Sequence, residues 1–208
     1  MVMNAAAPVP PNTRPGLGAG PRFPGVLGCL VALGLSFGFF VWTPVGQRVD
    51  GYWLGSLAEP GSFARELLGF SGDPVVLGAL LVGVVLVAVV RGRFRDALSA
   101  AGVVVGTVVA ARLLKVLLPR PEFDLVGATA HNSFPSGHVA AVAGLVVALL
   151  LVVPRGARWW CVAPGVVAVV LVAASTVLAG WHRPSDALGA VLVAGAVGRL
   201  AAGARSPL

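Results

Sequence analysis

The strongest constraint in this 208-residue sequence is a series of long apolar runs, at about 24–43, 74–90, 97–118, 138–153, 160–180 and 187–202. A helix rises about 1.5 Å per residue, so a hydrocarbon core of about 30 Å takes about 20 residues, the scale of these runs. A chain this short could not enclose six helices that are apolar on every face within a soluble core. Composition agrees, with 57% hydrophobic and 11% charged residues against about 45–50% and about 25% in soluble domains. The sequence predicts an all-α fold, a bundle of six transmembrane helices over 24–203. A connection at 44–73, a proline-rich disordered tail over 1–23 and a short tail over 204–208 complete it. No small-residue cleavage site follows the first run, which therefore reads as a retained helix.

Charge placement gives the expected orientation. A nucleic-acid binder sets basic residues on a polar face among aromatics, whereas these stand between apolar runs, so the net charge of +7 points to topology and not to nucleic acid. Arg91, Arg93 and Arg95 fill one connection, Arg155 and Arg158 another, and Arg14, Arg22, Arg199 and Arg205 flank the ends. These share one side, which the positive-inside rule makes cytoplasmic, with both termini inside and the 44–73, 119–137 and 181–186 connections outside. Asp50, Glu59, Glu66, Asp73, Glu122, Asp124 and Asp186 then lie outside, and Asp96 inside. Within 44–73, Trp53, Phe63, Leu67, Leu68 and Phe70 suit an amphipathic helix at the interface, or equally a solvated loop whose aromatics anchor at headgroup level. Cys29 and Cys161 each sit inside an apolar run and read as small buried hydrophobes. Lys115 is the only lysine amid abundant Arg, Ala, Gly and Val, a usage pointing to a GC-rich bacterial genome and a bacterial cell membrane.

Three polar groups at the outer span ends could carry chemistry, because polar residues at membrane depth are costly and face cavities. Arg112, Lys115 and Arg120-Pro121 close the third run, and Lys and Arg grip phosphate oxygens as a point charge and a planar fork. Long cations at a span end also snorkel to headgroups, which suits Arg112 taken alone. Ser133-Phe134-Pro135-Ser136-Gly137-His138 opens the fourth run. Ser136 there reads as an N-cap, and free N–H groups near Gly137 and His138 would favour an anion. Gly180-Trp181-His182-Arg183-Pro184-Ser185-Asp186 joins the last two runs, with His182 and Asp186 four apart, so that a carboxylate can fix the imidazole tautomer and leave the other nitrogen as nucleophile. Each group alone has a plain structural account; their coincidence on one side favours a phosphate site.

These residues resemble the type 2 phosphatidic acid phosphatase superfamily, whose fold and site are shared with the vanadium haloperoxidases. Pro135-Ser136-Gly137-His138 fits the second family motif fully. Ser175-Thr176, His182 and Asp186 fit the third in spacing, with Thr176 where the family has arginine. Lys115 and Arg120-Pro121 fit the first with a spacing two residues shorter. The resemblance implies that His182 attacks phosphorus, Asp186 orients it and His138 protonates the leaving oxygen. Lys115, Arg120, Ser136 and the Gly137 backbone would hold phosphoryl oxygens without a metal or other cofactor, and Arg183 or Arg112 would stand in for the missing arginine. It implies a membrane phosphatase acting on a lipid phosphate monoester or pyrophosphate at the extracytoplasmic face. A polyprenyl (pyro)phosphate is the first expectation, with phosphatidic acid or phosphatidylglycerophosphate as alternatives.

Two other readings stand beside it. One is a non-catalytic lipid-phosphate binding or flipping protein that kept the anion site after losing the arginine. The other is a metal hydrolase built on His131, His138, His182, Glu122 and Asp124, which supply enough donors but match no metal-site spacing. Oligomeric state leaves no mark in the sequence.

Overall fold

The computed structural model describes residues 23–56, 61–123 and 132–204. They form eight α-helices: α1 (Phe23–Phe40), α2 (Pro44–Ser56), α3 (Ser62–Gly72), α4 (Pro74–Val90), α5 (Phe94–Leu117), α6 (Gly137–Val152), α7 (Arg158–Leu178) and α8 (Pro184–Gly203), with a 3₁₀ turn at Arg155–Ala157 before α7. The expected tails, apart from Phe23 and Ala204, lie outside the described residues, as do Glu59, Asp124 and His131.

Four segments are long and apolar enough to cross a membrane: α1, α5, α8 and the stretch Arg155–Leu178 that contains α7. A fifth arises if α3 and α4, bent by 63° about Asp73, are counted together. Helix α6, expected over 138–153, runs for 16 residues, short of the roughly 20 that a perpendicular span requires. The all-α architecture is therefore as expected, with the structure supporting four or five spans.

Local chemistry sets the element ends. The Asp73 carboxylate accepts from Val75 N and Val76 N at 2.7 and 3.2 Å, a side-chain cap on α4, whose first residue is proline. Gly92 has φ +69°, the left-handed conformation that ends a helix, and Arg93 N returns to Ala88 O. Gly180, at φ +68°, ends α7 in the same way. The connection at 44–73 contains two helices, α2 and α3, where one interfacial helix or a loop was expected. In α3, Ala64, Leu68 and Ser71 are buried while Phe63 and Phe70 are exposed, a one-sided burial that matches helical periodicity.

At the centre, α6 packs against α4, α5, α7 and α8, and α1 lies on α8. Small residues make the crossings close: a Cβ at Gly144 would stand 3.3 Å from Thr107, and one at Gly198 would meet Val147 at 2.4 Å. Outside this core, Leu27, Val105, Val166 and Leu200 belong to a broad exposed apolar surface, the kind that lipid covers.

The connections sort to two ends. Arg93 Nη1 donates to Val152 O at 3.0 Å, so the α4–α5 turn meets the end of α6 that runs into Arg155 and Arg158. Arg199 of α8 lies against Gly25 near the start of α1. At the other end of α6 are Ser136, Gly137 and His138.

Candidate active site

The polar end is built where the end of α5, the start of α6 and the α7–α8 connection meet beneath α2 and α3. Helix α7 closes through the Thr176 carbonyl, which accepts from Trp181 N and His182 N at 3.1 and 3.2 Å. This fixes the backbone at His182 just before Pro184 starts α8. His182 Nδ1 lies 3.1 Å from Asp186 Oδ2, and an ionised carboxylate leaves Nδ1 the donor role. The same Oδ2 accepts from Arg183 N at 2.9 Å. Asp186 is fully buried and His182 is 8% exposed.

Asp186 also joins the second group, because Ser136 N donates to the Asp186 carbonyl at 2.9 Å. The Ser136 hydroxyl accepts from Val139 N at 3.5 Å, a loose N-cap on α6. Behind it Phe134 is fully buried and fits only because Gly189 has no side chain, since a Cβ there would approach the ring to 2.4 Å. Asn132 ties this segment to α5: its Nδ2 donates to Leu118 O at 2.8 Å and Phe134 O at 3.2 Å, and its Oδ1 accepts from Phe134 N. That last bond spans two residues and is an Asx turn.

A cavity of about 400 Å³ opens among these elements, and Lys115, Gly137, His138 and His182 all line it. Arg112, one turn before Lys115, lines it too. His138 packs beside Trp181 with ring centroids 5.7 Å apart. Its ring also lies over the α3–α4 corner, where a Cβ on Gly72 would come within 2.6 Å of Nε2. Asp186 stands behind His182, where it can orient the ring without meeting a ligand.

Two expected phosphate-binding residues are placed differently. Ser136 is fully buried with its hydroxyl directed to its own helix, so of the pair it is Gly137 that reaches the cavity. Arg120 does not line the cavity; it is half-buried beside Arg183, Asp186 and Asp50, and burial together with the Arg183 charge lowers its pKa from the ordinary value. Thr176 is fully buried and its hydroxyl donates to Ala173 O at 2.7 Å, so it offers nothing to a ligand. Arg183 Nη1 donates to Ser133 Oγ at 3.0 Å.

One buried residue had no assigned role in the sequence. Asp50 of α2, 1% exposed, accepts from Ser185 N at 3.1 Å and from the Ser185 hydroxyl. Arg183 precedes α8 and its side chain makes no cap bond, so Asp50 supplies from another helix the acceptor that a local Ser or Asp would give. Burial raises its pKa, with the Ser185 hydrogen bonds opposing. Gln47, one turn earlier, donates to Val41 O and Pro121 O at 2.7 and 2.9 Å, tying α2 to the Arg120 segment. Of the metal-hydrolase set, Asp124 and His131 lie outside the described residues, and no metal-holding group of three His, Cys, Asp or Glu occurs among the described ones.

A helical membrane protein with an imidazole–carboxylate pair facing cations across a cavity defines the class. The chain belongs to the PAP2 superfamily, whose model matches residues 96–206, the stretch holding α5 to α8 and all three polar groups. No curated protein matches the chain. Among solved structures it is similar to that of the first transmembrane PAP2 type phosphatidylglycerolphosphate phosphatase from Bacillus subtilis. The likeness has a TM-score of 0.69 over 86% of this chain and 94% of that one, at 21% identity, and is one of fold.

Proposed function

We propose that the protein is a membrane phosphatase that hydrolyses a lipid phosphate monoester or pyrophosphate through a phosphohistidine. The observation carrying this reading is His182: it lines the cavity while Asp186 occupies its Nδ1, leaving Nε2 as the free ring nitrogen. In the first step the Nε2 lone pair attacks phosphorus, the bond to the lipid oxygen breaks, and His138 gives that oxygen its proton. In the second, water loses a proton to His138 and attacks phosphorus, the P–N bond breaks, and phosphate leaves. Lys115 and the Gly137 backbone hold the phosphoryl oxygens at the positive end of α6. Arg120 adds positive potential from beside Asp186, and Ser136 holds the start of α6 in place. No step calls for a metal, so turnover should survive exhaustive chelation; its loss would revive the metal-hydrolase reading.

In this reading α1, α4, α5, α6, α7 and α8 cross the bilayer, with α6 short and α4 extended by α3. The Arg93–Val152 bond and the Arg199–Gly25 contact support the parity, since they gather the basic connections at the end away from the cavity. That end is cytoplasmic by the positive-inside rule, and the cavity is then extracytoplasmic. The substrate is a polyprenyl (pyro)phosphate or phosphatidylglycerophosphate, the lipid for which the similar Bacillus subtilis phosphatase is named.

Thr176 favours one second reading, a lipid-phosphate binder without turnover, because the missing arginine removes an oxyanion donor, a loss of about 10²–10³ in rate where such donors have been deleted. In the catalytic reading Arg112 or Arg183 makes up that loss, and turnover untouched by both Arg112→Ala and Arg183→Ala would refute the substitution. A panel of lipid phosphates offered to the purified protein decides between the two readings. Catalysis predicts phosphate release, abolished in His182→Ala, and a phosphoenzyme stable in alkali and labile in acid. Release that persists in His182→Ala refutes the mechanism.

A further inference from the structure

A second cavity, of about 340 Å³, begins where the first ends. Ser71 and Leu77, at the α3–α4 corner, line both. From there the second cavity runs along Leu80 and Val84 of α4, Leu149 of α6 and Leu171 of α7, and Ser71 is its one polar lining residue. Among the described residues α4 and α7 have no Cα atoms within 8 Å of each other, although both pack on α6. The space is therefore a groove floored by α6 and walled by α4 and α7. Its floor is firm, because a Cβ on Gly165 of α7 would meet Val146 at 2.7 Å, so the two helices touch closely there. Helix α3, bent away from α4 and packed on α7 and α6, roofs the end nearest His138. The remaining side, where Leu80 and Leu171 are exposed, opens toward the surrounding lipid.

We propose that this groove receives one hydrocarbon chain of the lipid phosphate whose head lies in the first cavity, the chain entering sideways between α4 and α7. The proposal rests on the phosphatase reading for the nature of the head. Three observations carry it. The groove is continuous with the cavity holding Lys115, His138 and His182. Its lining changes from polar to apolar at the shared residues, as a lipid phosphate does at its head. Its volume sits at the low end of the roughly 300–1,000 Å³ range of ligand sites, room for a stretch of one chain. Because the groove is open along Leu80 and Leu171, a second chain, where the lipid has one, stays outside it in the bilayer. The α3–α4 bend sets the length of the passage between head and chain, which makes Ser71 and Leu77 the threshold between them.

The test uses the full chain, purified in detergent, with hexadecyl phosphonate carrying a photoactivatable diazirine at the chain end. The expected result is labelling of the facing stretches of α4, α6 and α7, competed by plain hexadecyl phosphonate and reduced about tenfold in Leu80→Trp and in Leu171→Trp, which fill the groove from opposite walls and displace about two methylenes. Leu86→Trp, on the exposed apolar surface of α4 away from the groove, should leave labelling unchanged. Labelling confined to other faces, or undiminished in both groove variants, overturns the proposal. The melting temperature of each variant in the same detergent should match that of the unaltered chain and confirms that they fold. Groove labelling without phosphate release from any lipid phosphate would keep the groove and remove the catalytic reading.

Discussion

Replacing Asp186 with asparagine separates the two things a carboxylate can do for a histidine, fix its tautomer and balance its charge. Both donors, His182 Nδ1 at 3.1 Å and Arg183 N at 2.9 Å, converge on Oδ2. The Arg183 amide can only donate, so in Asp186→Asn the amide oxygen takes the Oδ2 place and remains available to Nδ1–H. The tautomer is thus retained and only charge is lost. A hydrogen bond to a charged group contributes about 1.5–3 kcal/mol and a neutral one about 0.5–1.5, so the transition state loses about 1–2 kcal/mol and kcat falls about five- to thirtyfold. The Ser136–Asp186 bond uses the backbone carbonyl, so the fold and KM should hold. Steady-state release of phosphate from hexadecyl phosphate measures both constants. A fall of about 10⁴, the cost of a wrong tautomer in the serine triad, would refute the anchoring by Arg183 N. A kcat within about twofold of wild type would refute any charge-balancing role for Asp186.

Gly72→Ala pushes a methyl into the His138 ring, because the Cβ would lie 2.6 Å from Nε2. A displaced general acid should lower kcat by about 10²-fold with little change in melting temperature, and unchanged turnover would show that His138 does not need this position. Gly189→Ala crowds the buried Phe134 ring at 2.4 Å and should cost about 1–3 kcal/mol of stability; an unaltered thermal melt would contradict that packing. Asp50 has a raised pKa in the fold, with Ser185, Asp186 and Arg183 facing it. It holds its proton where the unfolded chain has lost its own, so its contribution is full below the unfolded carboxylate pKa and falls as pH rises through the folded value. Asp50→Asn should flatten that part of the melting temperature against pH, and a variant curve parallel to wild type would refute the assignment.

The groups that chemistry places close together along the chain were the legible ones. His182 and Asp186 are four residues apart across the start of α8, and Gly137 and His138 open α6, so short spacing together with a shared membrane side and the family motifs grouped them with Lys115. Ser136 was also legible as a cap, and its hydroxyl accepts from Val139 N. What escaped depended on partners far away in sequence. Asp50 bonds a serine 135 positions on, and Gly72 is required by a ring on another helix. Neither need leaves a mark beside the residue itself. The division of 44–73 into two helices was hidden for a related reason: Gln47, Asp50, Leu68 and Ser71 are buried by contacts with α7, α8 and the Pro121 segment, which hydropathy along 44–73 does not register. Helix α6 has the 16 residues expected of it; what hydropathy along the chain does not register is that it begins at a polar cavity.

The Asp50 bond to Ser185 has a bearing on how this protein could be taken apart. Residues 96–206 match the family, and they invite treatment as an interchangeable unit with the preceding segment as a mere leader. Yet the first turn of α8, which presents Asp186, is finished by a carboxylate from that preceding segment. A chimaera joining 96–206 to another front half would inherit His182, Asp186 and His138 intact, but the Ser185 amide and hydroxyl would then depend on that front half for an acceptor at the place of Asp50. The start of α8 is thus a joint product of both halves of the chain.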